Sequence, residues 1–148
     1  MAELHPQLAR DCEAVGRFPL CRLLLMRDAN YPWFILVPDR DGISEIYQLP
    51  ESDREQLMCE SCALSEVLVE RFRPDKLNLA ALGNLVPQLH LHHLVRYRDD
   101  PAWPGPVWGR LPAKPYTPEA LAQRLGELRQ ALSGRAGFLA EDEPTSEG

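Results

Sequence analysis

The sequence lacks the features that mark membrane, exported and nucleic-acid-coating proteins. Its apolar runs, such as residues 23–26, are far too short to span a bilayer, and its first residues show no basic stretch followed by an apolar segment. Positive charge is also scarce, because 16 lysines and arginines stand against 22 aspartates and glutamates, a net charge of −6. We therefore expect a cytoplasmic protein whose partners include neither a membrane nor a nucleic acid.

Cysteine is sparse and shows no disulfide framework. The four cysteines are Cys12, Cys21, Cys59 and Cys62, and without an export signal reduced thiols are expected. Cys59 and Cys62 form a Cys-x-x-Cys pair inside a predicted helix, whereas redox and zinc pairs typically lie at a helix N-terminus or in a knuckle. The favoured interpretation is two ordinary helix thiols.

The length of 148 residues suits one domain. We place a single domain over residues 1–133 and an acidic, flexible tail over residues 134–148. Negative charge is concentrated in this tail, at Glu141, Asp142, Glu143 and Glu147.

Hydrophobic patterns predict several strands and only two helices. An apolar segment and a β-branched, aromatic one flank a turn-rich stretch and predict a hairpin. On the longer helix, Leu57, Leu64, Leu68 and Phe72 share the apolar side, whereas Glu60 lies away from its centre. Because helices do not alternate with every strand, the fold class is α+β with a mainly antiparallel sheet. The predicted strands are 20–28, 33–38, 43–47, 76–82 and 89–97, and the predicted helices are 51–73 and 117–133.

One predicted strand carries three of the four histidines. Side chains alternate along a strand, so Gln88, His90 and His92 share one face, while His93 falls on the opposite face with leucines. A polar, imidazole-rich face is costly to bury without partners, which indicates a cleft that takes a ligand. A neutral imidazole can attack phosphorus near pH 7 and form a covalent intermediate, and a second imidazole can bind phosphate oxygens or assist the leaving group.

Other interpretations of these histidines remain open. His90 and His92 could be solvated side chains, or could bind a metal if a third ligand joined them, although no carboxylate follows nearby in sequence before Asp99. For His93, whose neighbours on its face are leucines, a structural role is favoured over ligand binding.

The segment around these residues resembles the histidine triad family, whose pattern is His-φ-His-φ-His-φ-φ with φ apolar. Residues 83–94 read Gly-Asn-Leu-Val-Pro-Gln-Leu-His-Leu-His-His-Leu. The resemblance places Gln88, His90 and His92 at the three triad positions. It implies that His90 is the nucleophile and that His92 assists with phosphate oxygens and the leaving group. It also implies that Asn78 and Asn84 help to bind the nucleotide.

The resemblance covers roughly residues 5–110 and implies a five-stranded antiparallel sheet with one long helix and a C-terminal helix. Its proline- and tryptophan-rich stretch at 99–109 is similar to a proteobacterial branch. It implies a homodimer that binds a purine nucleotide or nucleotide conjugate and acts at the α-phosphate as a hydrolase or transferase, on dinucleoside polyphosphates or nucleoside phosphoramidates, without metal or cofactor. Gln88 departs from the pattern because glutamine cannot carry charge near neutral pH. The alternative is a catalytically weakened nucleotide-binding protein or a dimeric interaction protein.

Three further groups of residues have expected places. Trp33 is expected in the core, while Trp103 and Trp108 are candidates for lining or closing the site. Arg96 is expected to be a solvated charge at the strand end. Asp99 and Asp100 are expected to cap a turn rather than to act as bases.

Overall fold

The computed structural model describes residues 2–141, and it has one sheet with helices on both faces. No helix within that range is long and apolar enough to cross a membrane. In chain order the elements are α1 (Pro6–Asp11), β1 (Cys12–Arg17), β2 (Cys21–Met26), β3 (Trp33–Pro38), a 3-10 turn (Ile46–Gln48), α2 (Glu51–Phe72), β4 (Lys76–Ala80), β5 (Leu91–Arg96), α3 (Pro118–Leu132) and β6 (Leu139–Ala140).

The sheet confirms the α+β class. Its strand order is β4-β5-β3-β2-β1-β6, and every neighbouring pair is antiparallel. The hairpin predicted from residues 20–38 is β2–β3, and β5 lies between β3 and β4. The sheet has six strands rather than five, and the segment 43–47 contributes no strand; its last residues enter the 3-10 turn.

The face of the sheet that carries His93 packs against α2 and α3. Leu57, Leu64 and Leu68 of α2 are buried there with leucines of α3, as the helical spacing predicts. Glu60 differs from the expectation, since it is fully buried and its carboxylate accepts hydrogen bonds from the backbone N–H groups of Leu20 and Cys21. A buried carboxylate is tolerated here because these donors satisfy it.

The other face is covered by α1 and by the loop between β5 and α3. A second apolar cluster forms there from Leu8 of α1, Trp33 and Ile35 of β3, and Ala102 and Val107 of the loop. Helix α1 and strand β1 were not predicted from the sequence. Helix α1 has six residues, too few to show a helical repeat, yet with the loop it builds the walls of a cavity over this face.

The ordered domain extends beyond residue 133. Phe138 is buried in the core, and Leu139–Ala140 pairs with β1 as β6. This close approach depends on Gly16, because a Cβ at that position would lie 2.6 Å from the Phe138 ring. The flexible tail predicted over 134–148 is therefore wrong for residues up to Ala140, and its part from 142 onward lies outside the described residues.

Candidate active site

His90 and His92 meet at a cavity on the α1 face of the sheet. Their ring centroids are 4.8 Å apart, and the residues are only 7% and 4% exposed. The cavity has a volume of about 660 Å³. Its apolar wall is formed by Leu8, Met26, Trp33, Leu85, Val86 and Trp108. Its polar lining includes Gln7, Asp11 and Asn84 beside three imidazoles, those of His5, His90 and His92.

The hydrogen bond made by His90 leaves its other ring nitrogen available as a nucleophile. Nδ1 of His90 lies 2.7 Å from the backbone oxygen of Gln88. A carbonyl oxygen can only accept, so Nδ1 carries the proton and donates it, and Nε2 of the neutral ring keeps its lone pair.

His92 has the opposite tautomer. The indole N–H of Trp33 donates to Nδ1 of His92 over 2.9 Å, so the proton of the neutral ring is on Nε2. Burial, together with the neighbouring His90 and His93, lowers the pKa of His92 to about 3. His92 is therefore a neutral hydrogen-bond donor near pH 7 and not an acid that can release a proton.

Aromatic rings pack around His92. The Trp108 ring stands edge-on to the His92 ring, with ring centroids 5.1 Å apart. The rings of Trp33 and Trp108 also meet edge-on, with centroids 5.8 Å apart. Trp33 is buried in the core as expected, but it also contacts a site histidine. Of the two loop tryptophans, Trp108 lines the cavity, whereas Trp103 lies over the guanidinium of Arg96.

His93 has a structural contact on the other face, as the alternation of the strand predicts. Its Nδ1 donates to the backbone oxygen of Leu91, and its Nε2 lies 2.7 Å from the hydroxyl oxygen of Ser61 on α2. The residue is fully buried, and burial lowers its pKa to about 4. His93 thus joins the strand to the long helix.

Gln88 does not join the two imidazoles through its side chain. Its Oε1 accepts from the backbone N–H of His5 over 2.8 Å, and its Nε2 donates to the backbone oxygen of Glu3 over 3.1 Å. The side chain borders a neighbouring cavity of about 390 Å³ with Arg40 and Ser44. Gln88 contacts His90 through its main-chain carbonyl instead.

The two asparagines have different surroundings. Asn84 is a lining residue of the cavity. The Oδ1 atom of Asn78 instead accepts a hydrogen bond from Arg96, and Asn78 is not among the residues that line the cavity.

Arg96 is not the solvated strand-end charge expected from the sequence. It is 1% exposed, pairs with Asp100 at 2.7 Å, and also donates to Asn78. Burial is tolerated because the charge is paired and hydrogen-bonded. Asp100 also accepts from the backbone N–H of Tyr97, Ala102 and Trp103, which is the turn-capping role predicted for it.

Among residues 2–141, no group of three or more histidine, cysteine or acidic side chains could hold a metal ion. Cys59 and Cys62 are exposed free thiols on α2, and Cys12 and Cys21 are buried. Burial raises the pKa of Cys12 to about 12 and raises that of Cys21 as well, so both buried thiols stay protonated.

The chain is similar to known histidine triad proteins over most of its length. Residues 7–99 match the family model described as the HIT domain. The crystal structure of a histidine triad protein from Marinobacter aquaeolei is 54% identical, with 90% of this chain and 97% of that chain covered and a TM-score of 0.87. A histidine triad protein from Bradyrhizobium japonicum is 43% identical, with 88% of this chain and 97% of that chain covered and a TM-score of 0.86. One from Sinorhizobium meliloti is 37% identical, with 89% of this chain and 98% of that chain covered and a TM-score of 0.86. No curated protein matches the chain.

Proposed function

The chain belongs to the histidine triad family, and from that premise we propose that it hydrolyses or transfers a nucleotide at its α-phosphate through a covalent nucleotidyl-His90 intermediate. Members of the family bind nucleotides and are generally hydrolases or transferases at this phosphate. The observation that carries the proposal is the pair of opposite tautomers in one cavity. His90 offers an Nε2 lone pair, and His92 beside it offers an Nε2–H.

The first step is the attack of His90 on phosphorus. Its Nε2 lone pair forms the P–N bond while the bond from phosphorus to the leaving group breaks, and the ring becomes a cation that keeps its Nδ1–H on the Gln88 carbonyl. His92 donates its Nε2–H to a phosphate oxygen and so stabilises the negative charge of the transition state. Because His92 is neutral, the leaving group takes its proton from solvent.

In the second step water attacks the phosphorus and the P–N bond to His90 breaks. The nucleoside monophosphate is released, His90 returns to its neutral form, and the proton of the attacking water passes to solvent. When another nucleophile replaces water, the same intermediate gives transfer instead of hydrolysis.

The apolar wall is suited to a nucleobase. Met26, Leu85, Val86 and Trp108 offer flat and flexible apolar surface beside the two histidines, and a purine ring is the ligand group that gains most from such a wall. We place the base there and the α-phosphate at His90 and His92, with Asn84 as a polar contact. Substrates of this kind include nucleoside phosphoramidates and dinucleoside polyphosphates.

A binding protein with little turnover is the second candidate, and one observation favours it. The cavity lining contains no lysine or arginine among the described residues, so neither of these side chains meets the phosphate charge there. Charge stabilisation in the transition state would then be weaker than in a site with a cation.

The decisive experiment traps the intermediate. Incubation with an adenosine phosphoramidate labelled in the adenylate, followed by a denaturing quench, should leave label on the protein in an acid-labile, alkali-stable bond. His90→Ala should abolish the adduct and lower kcat by at least about 10³-fold, and His92→Ala should lower it by roughly 10²-fold. His93→Gln is the matched control, because it changes a histidine of the same strand that faces away from the cavity.

The outcomes separate the candidates. Binding of adenosine monophosphate without adduct or turnover would support the binding protein. Near-normal turnover by His90→Ala, with His92→Ala or His93→Gln inactive, would show that another histidine is the nucleophile.

We also propose that two copies form a homodimer. Apolar side chains are exposed on edge strand β4, where Leu79 is 47% exposed, and on α2, where Met58 and Val69 are 63% and 48% exposed. An unpaired strand edge with an apolar side chain beside it is suited to association with a second copy. The pairing of two subunits that the family resemblance implies would cover this surface.

A further inference from the structure

The N-terminal segment forms one wall of the cavity, and the proposed mechanism gives it no part. His5, Gln7, Leu8 and Asp11 line the cavity together with His90 and His92. His5 is the one histidine that lies outside the histidine-rich segment 90–93. It brings a third imidazole to a site whose first triad position holds glutamine.

Gln88 fixes the position of His5 through two hydrogen bonds. The carboxamide accepts from the His5 backbone N–H and donates to the Glu3 backbone oxygen, two groups that flank Leu4 along the chain. A primary carboxamide presents its C=O and one N–H side by side in one plane, as the C=O and N–H of a single residue do in a strand ladder. Gln88 therefore holds the segment in the way a neighbouring strand would, which the divergent nitrogens of an imidazole could not do.

The side chain of His5 has a defined tautomer as well. As the N-cap of α1, its Nδ1 accepts from the backbone N–H of Gln7 over 3.0 Å. The proton of the neutral ring is therefore on Nε2, and His5 is a lining residue of the cavity that His92 also lines.

We propose that His5 is the third imidazole of the site, donating its Nε2–H to a phosphate oxygen of the bound nucleotide, and that Gln88 is the positioning residue that holds it there. This inference rests on the proposed function, since it needs a phosphate at His90 and His92. The proposal assigns a positioning role to Gln88, and it supplies a hydrogen-bond donor to a cavity whose described lining has no lysine or arginine.

The variant His5→Asn separates the proposed contact from the cap. Asparagine is a preferred N-cap and can keep the hydrogen bond to Gln7, but it lacks the distant Nε2–H. We expect the thermal midpoint of unfolding to stay unchanged. Affinity for adenosine monophosphate should fall about tenfold, as for a lost hydrogen bond to a charged group, while the affinity for adenosine, which has no phosphate, stays the same.

Gln88→Ala should weaken binding of the monophosphate to a similar extent, and adding it to His5→Asn should cause little further loss, because both changes remove the same contact. Gln123→Ala, on the exposed side of α3, is the matched control. Nitrogen NMR of the imidazoles supplies a direct readout. Adenosine monophosphate should shift the Nε2 signal of His5 in the wild type, and Gln88→Ala should abolish that shift while the shift at His90 persists.

The binding and NMR results distinguish the role of His5, the role of Gln88 and the proposed function. Wild-type affinity for the monophosphate in His5→Asn, with His90 and His92 still shifted by it, would overturn the role of His5 and leave the proposed function intact. Wild-type affinity in Gln88→Ala would overturn its positioning role. If the wild type shows no shift at any histidine and no affinity for the monophosphate, the proposed function fails together with this inference.

Discussion

Trp33→Phe removes the N–H that donates to His92 and leaves most of the apolar ring in place. The lost hydrogen bond is 2.9 Å long between two residues that are 7% and 4% exposed. Without this donor, the proton of His92 can move to Nδ1, which turns the Nε2 lone pair toward the phosphate. A donor is thereby exchanged for an acceptor at the reacting group. We expect kcat/KM for a nucleoside phosphoramidate to fall about tenfold, equivalent to about 1.4 kcal/mol of transition-state stabilisation.

The assay is a double-mutant cycle with His92→Ala, supported by nitrogen NMR of the His92 ring. If Trp33 acts through His92, the phenylalanine variant lowers kcat/KM tenfold in the wild type and has almost no effect once His92 is gone. The NMR signals should show the Nε2–H form in the wild type and a mixture of tautomers in Trp33→Phe. An equal loss of rate in both backgrounds, or an unchanged tautomer, would refute the reasoning.

Two further predictions concern stability and assembly. Folded His92 and His93 have pKa values of about 3 and 4, below the value of 6.5 for an ordinary histidine, so the unfolded chain binds more protons as the pH falls through 6.5. Stability should therefore be lost as the pH falls from 6.5 to about 4 for His93 and to about 3 for His92, by about 2 kcal/mol for each histidine at pH 5 relative to pH 7. Urea unfolding at several pH values should show this loss, and His93→Gln should reduce its slope. A flat stability profile would contradict the prediction. Light scattering at micromolar concentration should give the mass of a dimer for the wild type. It should give the mass of a monomer for Leu79→Lys, because this variant places a charge on the edge strand. A monomer mass for the wild type would count against the dimer.

The sequence was sufficient to predict the elements that have a clear hydrophobic period. The hairpin of β2 and β3, the long helix α2 and the histidine strand β5 were all predicted within a few residues of their observed bounds. The alternation of side chains also separated His92 from His93 correctly, because a strand buried on both faces still has to turn successive side chains in opposite directions.

What the sequence could not reveal depends on long-range partners. Glu60 looks like a solvated charge until its distant partners are known, the backbone N–H groups of residues 20 and 21. Arg96 looks like one until the fold brings it to Asn78 on a neighbouring strand and folds the following loop so that Asp100 and Gly105 reach it. The place of His5 beside the cavity was missed for the same reason. It is 83 residues from Gln88 along the chain, and its only local signal is the proline that follows it at the start of a very short helix.

Gln88, which the resemblance places at the first triad position, is compatible with the proposed role of His90 as nucleophile because of how His90 is held. The group that fixes the tautomer of His90 is the main-chain carbonyl of residue 88, and every amino acid supplies that carbonyl. Replacing a histidine by glutamine there changes only what the side chain contacts, which in this protein is the N-terminal segment. The lone pair on His90 and the donor on His92 are thus set by contacts that do not involve the Gln88 side chain. Under the proposed function, the substitution therefore bears on the surroundings of the phosphate, where we propose that His5 acts, and not on the proposed nucleophile His90.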